Sequence, residues 1–290
     1  MASKFLLGFS LPSNLILDTL IQPWLLEDIG RGDRVTQALI VKGSQTHAAT
    51  WVAKENGIIA GLPIAARVFQ LLDPRIDFEV LVKEGARVMT GDTIANLSGP
   101  FEALLTGERV ALNLAMRLSG IATATEKFVA QLEGLPTRFA DTRKTTPGLR
   151  ILEKYASQVG GAVNHRMGLD DSAMIKDNHI AAAGSIAAAI ALVRSQIPYP
   201  LTIEVETENL RQVQEAIDHG ADIIMLDNMT IPDMQEAVQT IRSHSDRILI
   251  EASGNVTVER IRSIAETGVD IISSSAPITR STWMDLSMRF

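Results

Sequence analysis

The chain has 290 residues, enough for two domains or one large one, and its 46% hydrophobic and 21% charged residues are those of an ordinary soluble globular protein. A formal net charge of −7 argues against a nucleic-acid binder, which needs a basic face. The absence of cysteine excludes disulfides, thiolate metal sites and a cysteine nucleophile.

"MASKFLLGF" at the start has one lysine and a short apolar stretch but no cleavage site, so no signal peptide is read. A helix is predicted near 13–28. "ATWVAKENGIIAG" (49–61) and "DFEVLVKEGARVMTGDTIANLSG" (77–99) alternate in polarity and turn at glycines, which predicts antiparallel strands. Residues 101–134 have helical spacing with a break expected around Ser119-Gly120, and that break is taken as the domain boundary. The domains expected are 1–117 and 118–276, with the tail 277–290 returning to the first.

The second half has a rhythm. "LTIEVET" (201–207), "DIIMLDN" (222–228), "ILIEASG" (248–254) and "DIISSSA" (270–276) are short apolar runs starting 21, 26 and 22 residues apart. Amphipathic helical stretches lie between them, and glycines follow two of these, Gly220 and Gly268, where a helix terminus wants them. Strands apolar throughout, alternating with helices, mean βαβ units and a parallel sheet buried on both faces. "TRFADTR" (137–143) and "AMIKDN" (173–178) read as earlier strands of the series. "IAAAGSIAAAIALV" (180–193) is too weakly apolar to span a bilayer, so a cytoplasmic protein without membrane contact is expected. About six strands are clear, which predicts an α/β fold with an irregular or incomplete barrel.

In such a barrel the C-terminal strand ends converge on one face, where the chemistry sits. Here those ends carry Arg143 and Lys144, Lys176, Glu206, Asp227, Ser253-Gly254 and Ser273 to Ser275. "NHRMGLDDSAMIKDNH" (164–179) adds His165, Arg166 and His179 to the cations. Arginine matches a carboxylate or phosphate bidentately, lysine adds a compact charge, and a Ser-Gly strand end exposes N–H groups suited to phosphate. Two carboxylates among the cations suggest oxygen ligands for Mg²⁺ or acceptors for ribose hydroxyls. The whole suits a small, highly charged anion beside a phosphorylated sugar. Each part also has a plainer meaning: a solvated turn for "DTRKTTPG", salt bridges for Lys176, Glu206 and Asp227, solvated surface positions for His47, His219 and His244. The coincidence of all the unusual residues on one predicted face favours a site.

"DTRKTTPGLR", "GGAVNHRMGLDDSAMIKDNHI", "IEVET", "DIIMLDN" and "EASGN", in this order and at these separations, closely resemble the quinolinate phosphoribosyltransferase family, from "LLEDIGRGDRVT" (25–36) to near the C-terminus. The resemblance implies an irregular (β/α) barrel of six or seven strands with an N-terminal α/β sandwich domain. It implies a homodimer in which one subunit covers the other's barrel mouth. The activity implied is transfer of phosphoribose from phosphoribosyl pyrophosphate to quinolinate with decarboxylation, a Mg²⁺-dependent step of NAD biosynthesis.

By the same resemblance Thr142, Arg143, His165, Arg166 and Lys176 bind quinolinate, and Lys144 stands between it and the ribosyl donor. Arg109 reaches the neighbouring subunit's site. Glu206 and Asp227 hold Mg²⁺ and the ribose hydroxyls, while Ser253, Gly254, Asn255, Ser274, Ser275 and Ala276 seat the 5′-phosphate. The sequence departs from the family where Ser275 and Thr279 stand in place of glycine and histidine. The alternatives are a sister phosphoribosyltransferase of the molybdenum-operon type, a Schiff-base lyase using Lys176, and a non-catalytic anion binder.

Overall fold

The structure is a computed structural model that describes residues 10–39 and 45–290. The stretch read for a signal peptide lies outside the described residues. The first elements are α1 (Asn14–Ile29), α2 (Arg34–Leu39), β1 (Thr46–Ala53), β2 (Gly57–Ile58), α3 (Leu62–Leu72), β3 (Asp77–Val80), β4 (Arg87–Val88), β5 (Thr93–Pro100) and α4 (Phe101–Ala130). Then come β6 (Arg138–Ala140), α5 (Arg150–Val159), β7 (Ala173–Ile175), α6 (Asp177–Ala183), α7 (Ile186–Gln196), β8 (Ile203–Thr207), α8 (Leu210–Asp218) and β9 (Ile223–Asp227). The last are α9 (Ile231–His244), β10 (Leu249–Ser253), α10 (Ile261–Ala265), β11 (Ile271–Ser273), α11 (Ala276–Thr279) and β12 (Leu286–Arg289). No described helix is long and apolar enough to cross a membrane.

Two compact units can be distinguished. The first takes the chain as far as Glu126, then Thr146–Gly160 and Arg280–Phe290; the second takes Lys127–Thr145 and Gly161–Thr279.

In the first unit four antiparallel strands lie in the order β12-β1-β5-β3. Alternation along β1 turns Trp51 inward, where it is fully buried and meets Phe78 and Phe69 edge-on at centroid distances of 5.4 and 6.3 Å. Phe69 belongs to the apolar face of α3, whose Leu62, Ile64, Ala65 and Val68 are also buried. His47, expected at a solvated surface position in a loop or on a helix, is half-buried on β1 and stacks on Phe101 at 4.2 Å.

The helix break expected at Ser119-Gly120 does not occur: α4 runs unbroken for 30 residues. These small residues permit close packing. The Ser119 hydroxyl accepts from the Ala60 N–H at 3.0 Å and donates to its carbonyl at 3.1 Å. A Cβ on Gly120 would stand 2.0 Å from the Thr282 carbonyl oxygen.

The second unit is built on six parallel strands in the order β6-β11-β10-β9-β8-β7. Ile203, Val205, Ile224, Leu226, Ile250, Ala252 and Ile272 are all fully buried, which accounts for the apolar runs. Burying an isoleucine or leucine in this way is worth about 1.5–3 kcal/mol each. On β8 the period of two puts Ile203, Val205 and Thr207 on one face and Glu204 and Glu206 on the other. The Ala140–Val163 bridge extends the series beyond β6, while β7 pairs only with β8 among the described residues. The barrel is therefore irregular.

Candidate active site

A cavity of about 620 Å³ opens at the C-terminal ends of the second unit's strands, within the range of small-molecule sites. Its wall contains Thr142, Arg143, Lys144, His165, Arg166, Lys176, Glu206, Asp227, Ser253, Gly254 and Asn255. These come from the ends of β8, β9 and β10, from the loops after β6, β7 and β10 and from the segment after Val163, so parallel strand order is what gathers them. From β11 the wall takes the last residue, Ser273, and not Ser274, Ser275 or Ala276 beyond it. Ser274 and Ala276 have local roles there: the Ser274 N–H donates to the Ala140 carbonyl and the Ser274 hydroxyl accepts from the Ala276 N–H. Arg109 lies exposed on α4, in the first unit, and forms no ion pair among the described residues.

The cationic side of the cavity is held by its own backbone. The Lys144 N–H donates to the Thr142 hydroxyl at 3.0 Å, closing the turn that presents Arg143. Asp141, fully buried, accepts from the His165 N–H at 2.9 Å and from the Asn164 side chain, fixing the loop that carries His165 and Arg166. The Arg166 guanidinium donates to the Ser172 carbonyl at 2.8 Å. Burial, then the neighbouring Arg143 charge, lowers the Arg166 pKa, so the fold holds these like charges close together. His179 turns away to a capping role, accepting from the Lys176 N–H at 3.0 Å.

The acidic side lies on adjacent strand ends. Lys176 Nζ pairs with Glu206 on β8, and Asp227 ends β9. Burial first, and Glu206 second, raise the Asp227 pKa. Two carboxylates that repel one another at a cavity wall form an oxygen donor set that fits a hard divalent cation.

The far corner is shaped by strained backbone. Asn228 and Asn255 adopt left-handed conformations, φ 53° and 47°, rarely taken by residues other than glycine and asparagine. The Asn255 side-chain amide donates to Asn228 Oδ1 at 2.9 Å, and the Asn228 N–H donates to the Ser253 carbonyl at 3.0 Å. Between them Gly254 has φ 91°, and a Cβ there would lie 2.3 Å from Asn228 Oδ1. Only glycine fits, which leaves its backbone open to the cavity.

Sequence reasoning missed Asp141, Glu204, Asn228 and Glu251, together with the lining residues Met174 and Met225. Glu204 carried a signal, since a carboxylate two residues before Glu206 on a strand must share its face.

Comparison with known proteins follows the same lines. Residues 33–119 match the quinolinate phosphoribosyl transferase N-terminal domain, and residues 121–289 match the C-terminal domain. The chain is 61% identical over 280 residues to a probable nicotinate-nucleotide pyrophosphorylase (carboxylating) of Synechocystis, covering 96% of this chain and 94% of that one. A protein of the same description from Bacillus subtilis is 44% identical over 276 residues, with 95% and 94% covered. The solved structure of the nicotinate-nucleotide pyrophosphorylase from Francisella tularensis superposes with a TM-score of 0.90 at 37% identity, covering 97% of this chain and 98% of that one. On sequence, domain order and fold alike, this chain belongs to the quinolinate phosphoribosyl transferase family.

Proposed function

We propose that the chain joins quinolinate to the ribose of phosphoribosyl pyrophosphate and decarboxylates it, giving nicotinate mononucleotide, pyrophosphate and CO₂. This is a pentosyl transfer of NAD biosynthesis. The relatives' name, a carboxylating pyrophosphorylase, describes the same reaction in reverse. The observation that carries the reading is the paired cationic arc of Arg143, Arg166, Lys144 and Lys176 in one cavity with Glu206 and Asp227.

The arginines, with Thr142 and His165 beside them, hold the two carboxylates of the pyridine ring. Charged groups about 4 Å apart attract by roughly 4 kcal/mol at an effective dielectric of 20, so several cations outweigh the desolvation of a dianion. Glu206 and Asp227 hold Mg²⁺ and the ribose hydroxyls. When bound, that ion offsets charge on the departing pyrophosphate. Lys144 and Lys176 stand over the same leaving group. Ser253, Gly254 and Asn255 seat the 5′-phosphate, and Ser274, Ser275 and Ala276 follow Ser273 into the start of α11.

The pyridine nitrogen pair attacks C1 of the ribose as its bond to pyrophosphate breaks. The nitrogen is then cationic and adjacent to C2, so the bond to the 2-carboxylate breaks with its electrons left on C2, and C2 takes up a proton. Positioning and charge neutralisation supply the catalysis, without a covalent protein intermediate. The purified chain with quinolinate, phosphoribosyl pyrophosphate and Mg²⁺ should release CO₂ in step with nicotinate mononucleotide. Equal turnover of nicotinate, which lacks the second carboxylate, would refute the assignment, because a site with unpaired buried cations rejects it.

Exposed Arg109 has its use in a homodimer, completing the partner's anion site. Arg109→Ala and Lys176→Ala, each nearly inactive alone, should regain about a quarter of wild-type activity when mixed in equal amounts and allowed to exchange subunits. If exchange is verified by a tag and no activity returns, Arg109 works within its own chain.

A further inference from the structure

Directly beneath the cationic arc lie two carboxylates to which the reaction gives no task. Glu204 on β8 and Glu251 on β10 are 1% and 4% exposed, two strands apart with β9 between them. The His165 ring lies between their side chains: Nε2 is 3.3 Å from Glu204 Oε2 and 3.5 Å from Glu251 Oε2, within ion-pair reach of both but without regular hydrogen-bond geometry to either. Its other nitrogen, Nδ1, accepts the Arg166 backbone N–H at 2.7 Å. A nitrogen that accepts a hydrogen bond carries no proton, so the ring proton sits on Nε2 and faces both acids.

The remaining oxygens, Oε1 of Glu204 and of Glu251, are buried with no hydrogen-bond partner among the described residues. Such groups are costly to bury and are retained where they serve a purpose. Burial, and next the Glu204 charge, push Glu251 up to about 7. The three ligand atoms lie within 4.8 Å of one another, a spacing that would also admit a metal ion. The Nε2–H of His165, facing both acids, brings positive charge to the position such an ion would take.

We infer that Glu204 and Glu251 are positioning residues: they grip the His165 ring in its Nε2–H form so that Nδ1 stays an acceptor and holds the Arg166 backbone against the quinolinate carboxylates. The chain of contacts runs from acid pair to imidazole, from imidazole to the Arg166 N–H, and from there to a guanidinium already tied to the Ser172 carbonyl. With Nδ1 bonded to the Arg166 N–H and Nε2 turned to the acids, His165 acts on the substrate through Arg166 more than by a bond of its own. This inference rests on the quinolinate reading for its kinetic consequence and on geometry alone for the tautomer.

The test has two arms. In ¹⁵N-histidine spectra of the wild-type protein, the resonance missing from His165→Asn should show a protonated Nε2 and an unprotonated Nδ1. Proton on Nδ1, or loss of the Nε2 proton together with one tightly held metal ion per chain, overturns the inference. In kinetics, Glu251→Ala should raise the quinolinate KM about tenfold, the loss expected for one charge-assisted contact. Its KM for phosphoribosyl pyrophosphate and its kcat should stay within about threefold, and Glu251→Gln, which keeps an acceptor oxygen, should restore the quinolinate KM. Equal losses for both substrates, or no rescue by glutamine, count against it. If Glu251→Ala does not fold, the wild-type spectrum still decides. A wild type that makes no product refutes the proposed activity, and the tautomer then stands or falls by the spectrum alone.

Discussion

Buried carboxylates occur in both units, and they are treated differently. In the first unit Glu153, with no exposure, accepts from Arg117 Nη2 at 2.7 Å, from Arg117 Nε at 3.2 Å, and from the N–H and hydroxyl of Thr146, both at 2.8 Å. Glu84 accepts from the N–H groups of Gly61 and Leu62, at the start of α3, and from the Tyr155 hydroxyl. In the second unit Glu204 and Glu251 each keep one oxygen without a hydrogen-bond partner among the described residues. A saturated buried acid is part of the architecture, fixed by its donors. An unsaturated one is a place where the fold accepts a cost, and such costs collect at functional sites.

The comparison can be broken most sharply at Glu153. Glu153→Ala removes the carboxylate that pairs with the Arg117 side chain, only 16% exposed, and should cost about 3–5 kcal/mol in chemical denaturation. A loss below 1 kcal/mol would show that its bonds carry no weight. Asp227→Asn should do the reverse, lowering turnover with phosphoribosyl pyrophosphate about 10²–10³-fold while leaving unfolding unchanged and quinolinate affinity near wild type. A loss of quinolinate affinity larger than the loss for the donor would contradict its place on the acidic side.

Glu251 offers a pH test. Its pKa rises from 4.5 toward about 7 in the fold, chiefly through burial. Folding therefore favours the protonated form. Its contribution is fully present below pH 4.5 and is lost as pH climbs through about 7. Relative to Glu251→Gln, which stays neutral, the wild type should lose roughly 1–3 kcal/mol between pH 4.5 and 7.5. A difference independent of pH would mean that Glu251 stays ionised in both states. The smallest effect belongs to the exposed Arg262–Glu266 pair on the surface, where Arg262→Ala should change stability by about 0–1 kcal/mol and turnover not at all.

Much of this organisation was legible in the sequence. The parallel strands announced themselves because burial on both faces leaves no polar alternation, and the cations stood out at their ends. Ser119-Gly120 misled because small residues in a helix signal either a break or a close approach, and only the Ala60 and Thr282 backbones decide between them. Glu251 looked like any polar strand residue. Its meaning depends on Glu204, two strands away across the barrel interior, and on a histidine from a separate loop, a relation that no local spacing encodes. Ser273 and Ser274 differ by one position, and the alternation of a strand end puts only the first on the cavity wall.

The placement of β12 bears on how the chain is made. β1 lies between β5 and β12, and β12 is synthesised roughly 230 residues after β1. At about 5–20 residues per second the ribosome needs on the order of ten seconds or more to supply it. Through that interval the flank of β1 opposite β5 presents unpaired N–H and C=O groups, the template on which other chains can dock. When Leu286–Arg289 arrive they take over as a four-residue edge, too short to template much further pairing. Nascent chains arrested before Leu286 should therefore self-associate more readily than finished ones, a hazard of translation set by strand order.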